Sequence, residues 1–325
     1  MRHAVTYVLL AGGLLSLAGC DSSDAPTSWS EYALRGAYTA SISSTGTYSA
    51  IGSFDHGGSL WTLENNERLY NWNHKAKTFS IIAATAFSPE EKYAATANQQ
   101  DLVLWNLRNG QAEGFWSSPA EIMQMALSPN GDYALLGLAN HTAVYFDVKQ
   151  GGVKRTFRHE ARVRSVDLSD DGSLALTGSD AYKVKLWSVE TGELLKELSL
   201  GNVVDTVALS PNMKTAFSAG SLDKAVIWDI DSGTEMHILS DIASFSQKRI
   251  SYLSARFSPD SQQLLTGTAS GLVQLWDVTT GEQLKSWRVH RRDAYGPVQA
   301  GVYAVGFGQD KYYALGSNGF MNELQ

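Results

Sequence analysis

Residues 209–233 read LSPNMKTAFSAGSLDKAVIWDIDSG, and residues 257–281 read FSPDSQQLLTGTASGLVQLWDVTTG. The two stretches share one plan. A Ser-Pro pair opens each, a small-residue run follows, and an alternating apolar segment ends in Trp228-Asp229 or Trp276-Asp277. Gly233 and Gly281 stand five residues beyond the Trp. Pro sets φ, and Asn or Gly tolerates left-handed backbone, so the opening reads as a hairpin turn. The small-residue run and the alternating segment read as two strands, and the Gly turns the chain into an outer strand such as Glu193–Leu198. Four short antiparallel strands per ~40 residues make a blade, and blades packed radially make a propeller.

The plan recurs along the chain. Phe87-Ser88-Pro89, Leu127-Ser128-Pro129 and Leu168-Ser169-Asp170 precede the two quoted openings, and the turn tetrads include 128–131 and 169–172. The aromatics Trp105, Phe146, Trp187 and Trp228 lie 41 residues apart, and Trp276 follows after 48. Gly110, Gly151 and Gly192 occupy the place five residues further on. Ile42–Gly46 leading to Trp61 makes a weaker first repeat, with Asn66 where the others have Gly; Asn is the residue best able to replace Gly at φ > 0. Phe307–Asp310 leading to Phe320–Leu324 makes a seventh, which stops at its third strand.

The Trp-Asp-x-x-Ser/Thr-Gly segments resemble the hallmark of WD40 repeats. The resemblance covers roughly residues 30–325 and is degenerate, because elsewhere the pair is Trp105-Asn106, Phe146-Asp147 or Trp187-Ser188. It implies an all-β, seven-bladed WD40-type propeller whose N-terminal strand, here Trp29–Leu34, supplies the missing outer strand of the last blade. Ring closure of that kind removes exposed sheet edges. The resemblance also implies buried Asp–His–Ser/Thr–Trp networks. His74 and His159 stand where such a His belongs, with Ser179 and Trp187 as partners for His159. Asp180 and Asp223 lie seven and five residues before their Trp, where the family spacing is six, so these networks are expected to be incomplete and structural.

Met1–Cys20 reads differently. Arg2 and His3 precede an apolar run that ends in Leu17-Ala18-Gly19-Cys20, the layout of a secretory signal. That run is too short to span a bilayer comfortably. Leu-Ala-Gly-Cys resembles the lipobox of bacterial lipoproteins, which implies cleavage before Cys20 and lipidation of its sulfur. Several acyl chains give a stable membrane anchor. Asp21 resembles an inner-membrane retention signal of some bacteria, and the choice between inner and outer membrane stays open. The expected layout is a signal peptide over 1–19, a lipidated Cys and tether over 20–28 and the propeller over 29–325, facing the periplasm.

Composition narrows the function. The 325 residues carry 33 acidic and 26 basic side chains, a net charge of −7, with 43% hydrophobic residues. That excludes a disordered chain and disfavours nucleic acid, which wants a basic surface. Cys20 is the single Cys, so the fold must hold by packing without disulfides. The histidines are scattered and form no metal-ligating spacing, and Asp229–Gly233 reads as a blade turn rather than a calcium loop. No nucleophile elbow, P-loop or dinucleotide fingerprint is present. The expectation is a non-enzyme without cofactor or metal.

Two insertions remain. Ser240–Ser251 (SDIASFSQKRIS) and Val289–Gly301 (VHRRDAYGPVQAG) both join an outer strand to the next inner strand, so both should emerge on one face of neighbouring blades. They bring Phe245, Lys248, Arg249, His290, Arg291, Arg292 and Tyr295 to an otherwise acidic protein. Arg and Tyr are favoured at interface hot spots, and function gathers in loops on rigid scaffolds. The reading is an interaction scaffold with an envelope protein partner, working as a monomer or within a hetero-complex. The alternatives are a channel-mouth enzyme or ligand sensor, and recognition of a polyanionic polymer through Arg249, Arg291 and Arg292.

Overall fold

The computed structural model describes residues 23–75, 78–239, 250–293 and 300–325. Its strands form seven four-stranded antiparallel sheets, the seven blades of a propeller. The first strands of blades 1 to 7 are Ala37–Ile42, Ala84–Phe87, Ile122–Leu127, Val163–Leu168, Val204–Leu209, Tyr252–Phe257 and Val302–Phe307. Each packs on the first strand of the next blade, and blade 7 packs on blade 1, so the ring is continuous.

The core is divided among the seams. Seven clusters of buried apolar side chains occur among the described residues, and each joins two neighbouring blades. Trp72, Trp228 and Trp287 are fully buried in three of these seams. Small residues on the second strands, such as Ala94, Ala134, Ala175 and Ala216, lie opposite the large aromatics Trp105, Phe146, Trp187 and Trp228. That pairing of small with large lets the wedge taper toward the axis.

Three backbone devices explain the repeat's fixed residues. In six blades the opening Ser is buried, and its Oγ accepts the backbone N–H five residues on at 2.9–3.1 Å: Ser43 from Tyr48, Ser88 from Tyr93, Ser128 from Tyr133, Ser169 from Leu174, Ser210 from Thr215 and Ser258 from Gln263. The residue after the aromatic starts a one-turn reversal in which its carbonyl accepts the N–H of the Gly, as Asp229 does from Gly233 at 2.8 Å. Gly233 has φ +76, and Asn66, where blade 1 lacks Gly, has φ +54. The Asp229 carboxylate accepts from the Ser232 N–H at 2.7 Å, which makes it a turn cap.

The ring closes as the sequence implies. Ser28–Glu31 pairs antiparallel with Phe320–Leu324 and becomes the outer strand of blade 7. This closing strand is shorter than the stretch Trp29–Leu34, because Tyr32 leaves it to stack on Trp61 of blade 1 at 4.1 Å and to donate to Asn66 Oδ1 at 2.7 Å. The expected tether is shorter as well. Thr27 N–H donates to Glu323 O at 2.9 Å, and Asp24 forms a parallel bridge with Trp287 of blade 6. Asp24 and Thr27 are thus fastened to the propeller.

Without Asp24–Glu31 the third strand of blade 7 becomes a bare edge. At about 1 kcal/mol net for each of some seven lost backbone bonds, and 2–4 °C per kcal/mol, deletion of 24–31 should lower Tm by roughly 14–28 °C. Light scattering during the melt should show concentration-dependent aggregation.

Candidate functional site

Chain direction sorts the connections. Outer-to-inner links and the links between second and third strands lie on one face, here the insertion face. The opening hairpins and the turns into the outer strands lie on the other, the turn face. The turn face is acidic on balance, with Glu90, Glu91, Asp132, Asp171, Asp231 and Glu282 outnumbering cations such as Lys92, Arg108, Lys149, Lys214 and Lys311, whereas the insertion face is nearer balance, with Lys75, Arg162 and Lys224 among Glu160 and Asp223. Both insertions leave from the insertion face, between blades 5 and 6 and between blades 6 and 7.

Of the seven predicted contact residues, Phe245, Lys248, Arg249 and Tyr295 lie outside the described residues, as does Cys20. His290, Arg291 and Arg292 are described. The His290 ring stacks on Trp29 of the closing strand at 3.8 Å and meets Phe320 edge-on. The backbone N–H of His290 donates to Asn322 Oδ1 at 2.7 Å, and its backbone carbonyl accepts from Asn318 Nδ2 at 2.9 Å. Burial, with the nearby Arg292 charge second, lowers its pKa. Arg292 pairs with Glu31, donates to Ala33 O at 3.1 Å and Asn318 O at 2.9 Å, and lies over the Phe320 ring. These two side chains fasten the closing strand. Arg291 makes no hydrogen bond or ion pair among the described residues, so it alone of the three is available to a partner.

The expected histidine networks exist in altered form. His159 Nε2 lies 2.8 Å from Thr177 Oγ1, and Trp187 Nε1 donates to the same oxygen at 2.9 Å. Ser179 is not the partner; it donates to Lys183 O at 3.3 Å. Thr177 donates to Lys185 O, so its oxygen accepts from both rings and His159 is the Nε2–H tautomer. No carboxylate reaches Nδ1, which has no partner. Asp180 turns instead to Arg162 at 2.7 Å and Arg164 at 2.8 Å. His74 with Thr96 and Trp105 repeats the pattern in blade 2. Blade 1 builds it from His56, Ser59 and Trp61. Burial holds His159 neutral, with its pKa pushed down to about 4. These groups tie neighbouring strands together.

The channel holds a feature that reading the repeats missed. At the next-to-last position of the seven inner strands stand Ser41, Ala86, Ala126, Asp167, Ala208, Arg256 and Gly306, so two of seven are charged. Aligning the inner strands by their last apolar residue exposes that contrast. Both charges line a cavity of about 300 Å3 on the axis. Arg256 donates to the carbonyls of Ile42 at 2.5 Å and Ser43 at 2.9 Å. The Asp167 carboxylate accepts from the N–H groups of Leu209 at 2.7 Å and Leu168 at 3.0 Å. Burial raises Asp167 to about 7 despite those bonds. Both groups are engaged by backbone, Asp167 joining blade 4 to blade 5 and Arg256 joining blade 6 to blade 1, and across the cavity they lie close enough for each charge to act on the other.

Three outcomes follow from this geometry. Thr177→Val leaves two buried ring N–H groups unpartnered, so stability should fall by about 2 kcal/mol in a denaturant melt. R292E should lower Tm by several degrees through loss of the clasp, whereas R291E should leave Tm unchanged. Between pH 4 and 7 the native Asp167 keeps a proton that the unfolded chain has released, so its contribution to stability declines as pH rises through that window. The Tm of D167N minus that of wild type should therefore rise by about 5–10 °C from pH 5 to pH 8.

Residues 151–188 and 241–277 match the family described as WD domain, G-beta repeat; the matches end with the third strands of blades 4 and 6. The chain is also similar to eukaryotic translation initiation factor 3 subunit I from two Saccharomyces cerevisiae strains, YJM789 and ATCC 204508 / S288c. Each is 33% identical over 87 residues, which is 26% of this chain and 24% of the yeast protein. The match thus spans about a quarter of the length of these relatives.

Proposed function

We propose that this WD40-type propeller is a non-catalytic interaction scaffold, anchored through acylated Cys20 outside the cytoplasmic membrane, that holds an envelope protein on its insertion face. One observation carries the reading: of the three lengthened outer-to-inner connections, 72–83, 239–251 and 289–301, the last two leave the same face side by side, on either side of blade 6. A rigid disc keeps such loops at fixed separation, which lowers the ordering cost of binding. Support also comes from the polar clusters already described. Each is engaged by backbone or by a neighbouring ring, which suits a structural role better than turnover. The yeast relatives are by name subunits of a larger factor, and work through contact with other chains fits that relationship.

Arg292 is left intact in the test because it holds the ring. Crosslinking in the native envelope followed by capture should recover a specific protein with wild type. Lys248→Glu, Arg249→Glu and Arg291→Glu together should reduce that recovery about tenfold or more while Tm stays constant. An unchanged set of captured proteins removes the insertion face from the account. Loss of capture above ~0.3 M salt with wild type would point to a polyanion instead.

A further inference from the structure

We propose that the disc meets the phospholipid surface by its rim at blades 6 and 7, with the insertion face tilted toward the membrane. The inference rests on acylation of Cys20 and adds what that anchorage does to the body. It comes from where the chain is first fastened. The Asp24 N–H donates to Ser286 O and its carbonyl accepts from Arg288 N–H, both at 2.9 Å. Its carboxylate lies 3.5 Å from Lys285 Nζ. Those partners sit in the final residues of the outer strand of blade 6, Gln283–Arg288, toward the insertion face.

Three residues separate Cys20 from that point, so the acylated sulfur's Cα lies within about 14 Å of Asp24. A blade of four strands is ~19 Å wide, and a ring of such blades is ~40 Å or more across. The tether therefore excludes a pose that stands on the opposite rim, at blade 3, with blade 6 held away from the surface. Apolar side chains do not choose the pose, since Leu69, Phe115, Val153, Leu195, Ile238 and Leu284 expose large surfaces all round the rim. Charge agrees with the tether. The acidic turn face is turned away from anionic head groups, and the insertion face with its Arg291 is turned toward them.

The test uses the full acylated chain in phosphatidylcholine–phosphatidylglycerol vesicles. Acylated Cys20 leaves no free thiol, so L284C on blade 6 or V153C on blade 3 can carry a single fluorophore; the native side chains are 50% and 42% exposed. Quenching by head-group nitroxide lipid should be about threefold or more stronger at 284 than at 153. Inserting about ten Gly/Ser residues between Ser23 and Asp24 should erase that difference. Equal quenching, or stronger quenching at 153, in protein that floats with the vesicles overturns the pose and leaves the anchor standing. Wild type that fails to float, or whose mass shows an unmodified Cys20, overturns the anchor and the pose with it.

Discussion

Each blade is a wedge with two apolar faces, and only two neighbours can cover them. Every described seam holds its own cluster of buried side chains, including the one between blade 7 and blade 1. No central core would survive the loss of one joint. The whole structure therefore depends on closing the circle, and closure is assigned to a four-residue strand far away in sequence, Ser28–Glu31 on Phe320–Leu324. Nothing local favours that pairing, since its loop spans almost the whole chain. The concentration of extra contacts at this joint follows from that cost. The Trp29–His290 stack, the Arg292 clasp, Tyr32 on Trp61 and the Asp24 bridge all act on one short strand.

The remaining six blades need no such reinforcement because their strands are contiguous and share the same inner devices. The buried Ser at the opening of the hairpin and the hydroxyl under the Trp recur with little variation. Thr96, Thr177, Ser218 and Thr266 each accept an indole N–H. At about 1 kcal/mol each, such bonds matter less for total stability than for fixing which strand lies on which. This explains why the Trp-Asp pair can decay to Trp-Asn, Phe-Asp or Trp-Ser. Asn106, like Asp229, supplies a turn acceptor, taking the Arg108 N–H at 2.9 Å, and where the aromatic is Trp a hydroxyl on the adjacent second strand holds its register.

Most of the fold was legible because each blade repeats a local code of turn residues and alternation. The count of seven and the Asn66 turn could be read from spacing, and the closing strand was implied by the resemblance to WD40 repeats. The site was less legible, because spacing does not report which way a side chain points. Thr177 and Ser179 point to the same face of one strand, but Thr177 lies two residues nearer Trp187 along the ladder and takes the indole N–H, while Ser179 reaches only Lys183 O. Arg292 reads as a free cation in a loop, yet the loop folds back on the one strand that needs holding. Asp167 and Arg256 are 89 positions apart and become neighbours across the axis only once the ring exists. Within the insertions, the residue pattern shows an aromatic and basic character but carries no period that would set a conformation.

The way the chain joins the body also governs how it bears load. A pull on residues upstream of Asp24 is met first by the two backbone bonds of that residue on blade 6, and only then by the pairs that seal blade 7. The arrangement works as a strain relief does on a cable. Tension is taken up on a neighbouring, fully contiguous wedge, so the seam that completes the circle is shielded from jerks transmitted along the N-terminal cord.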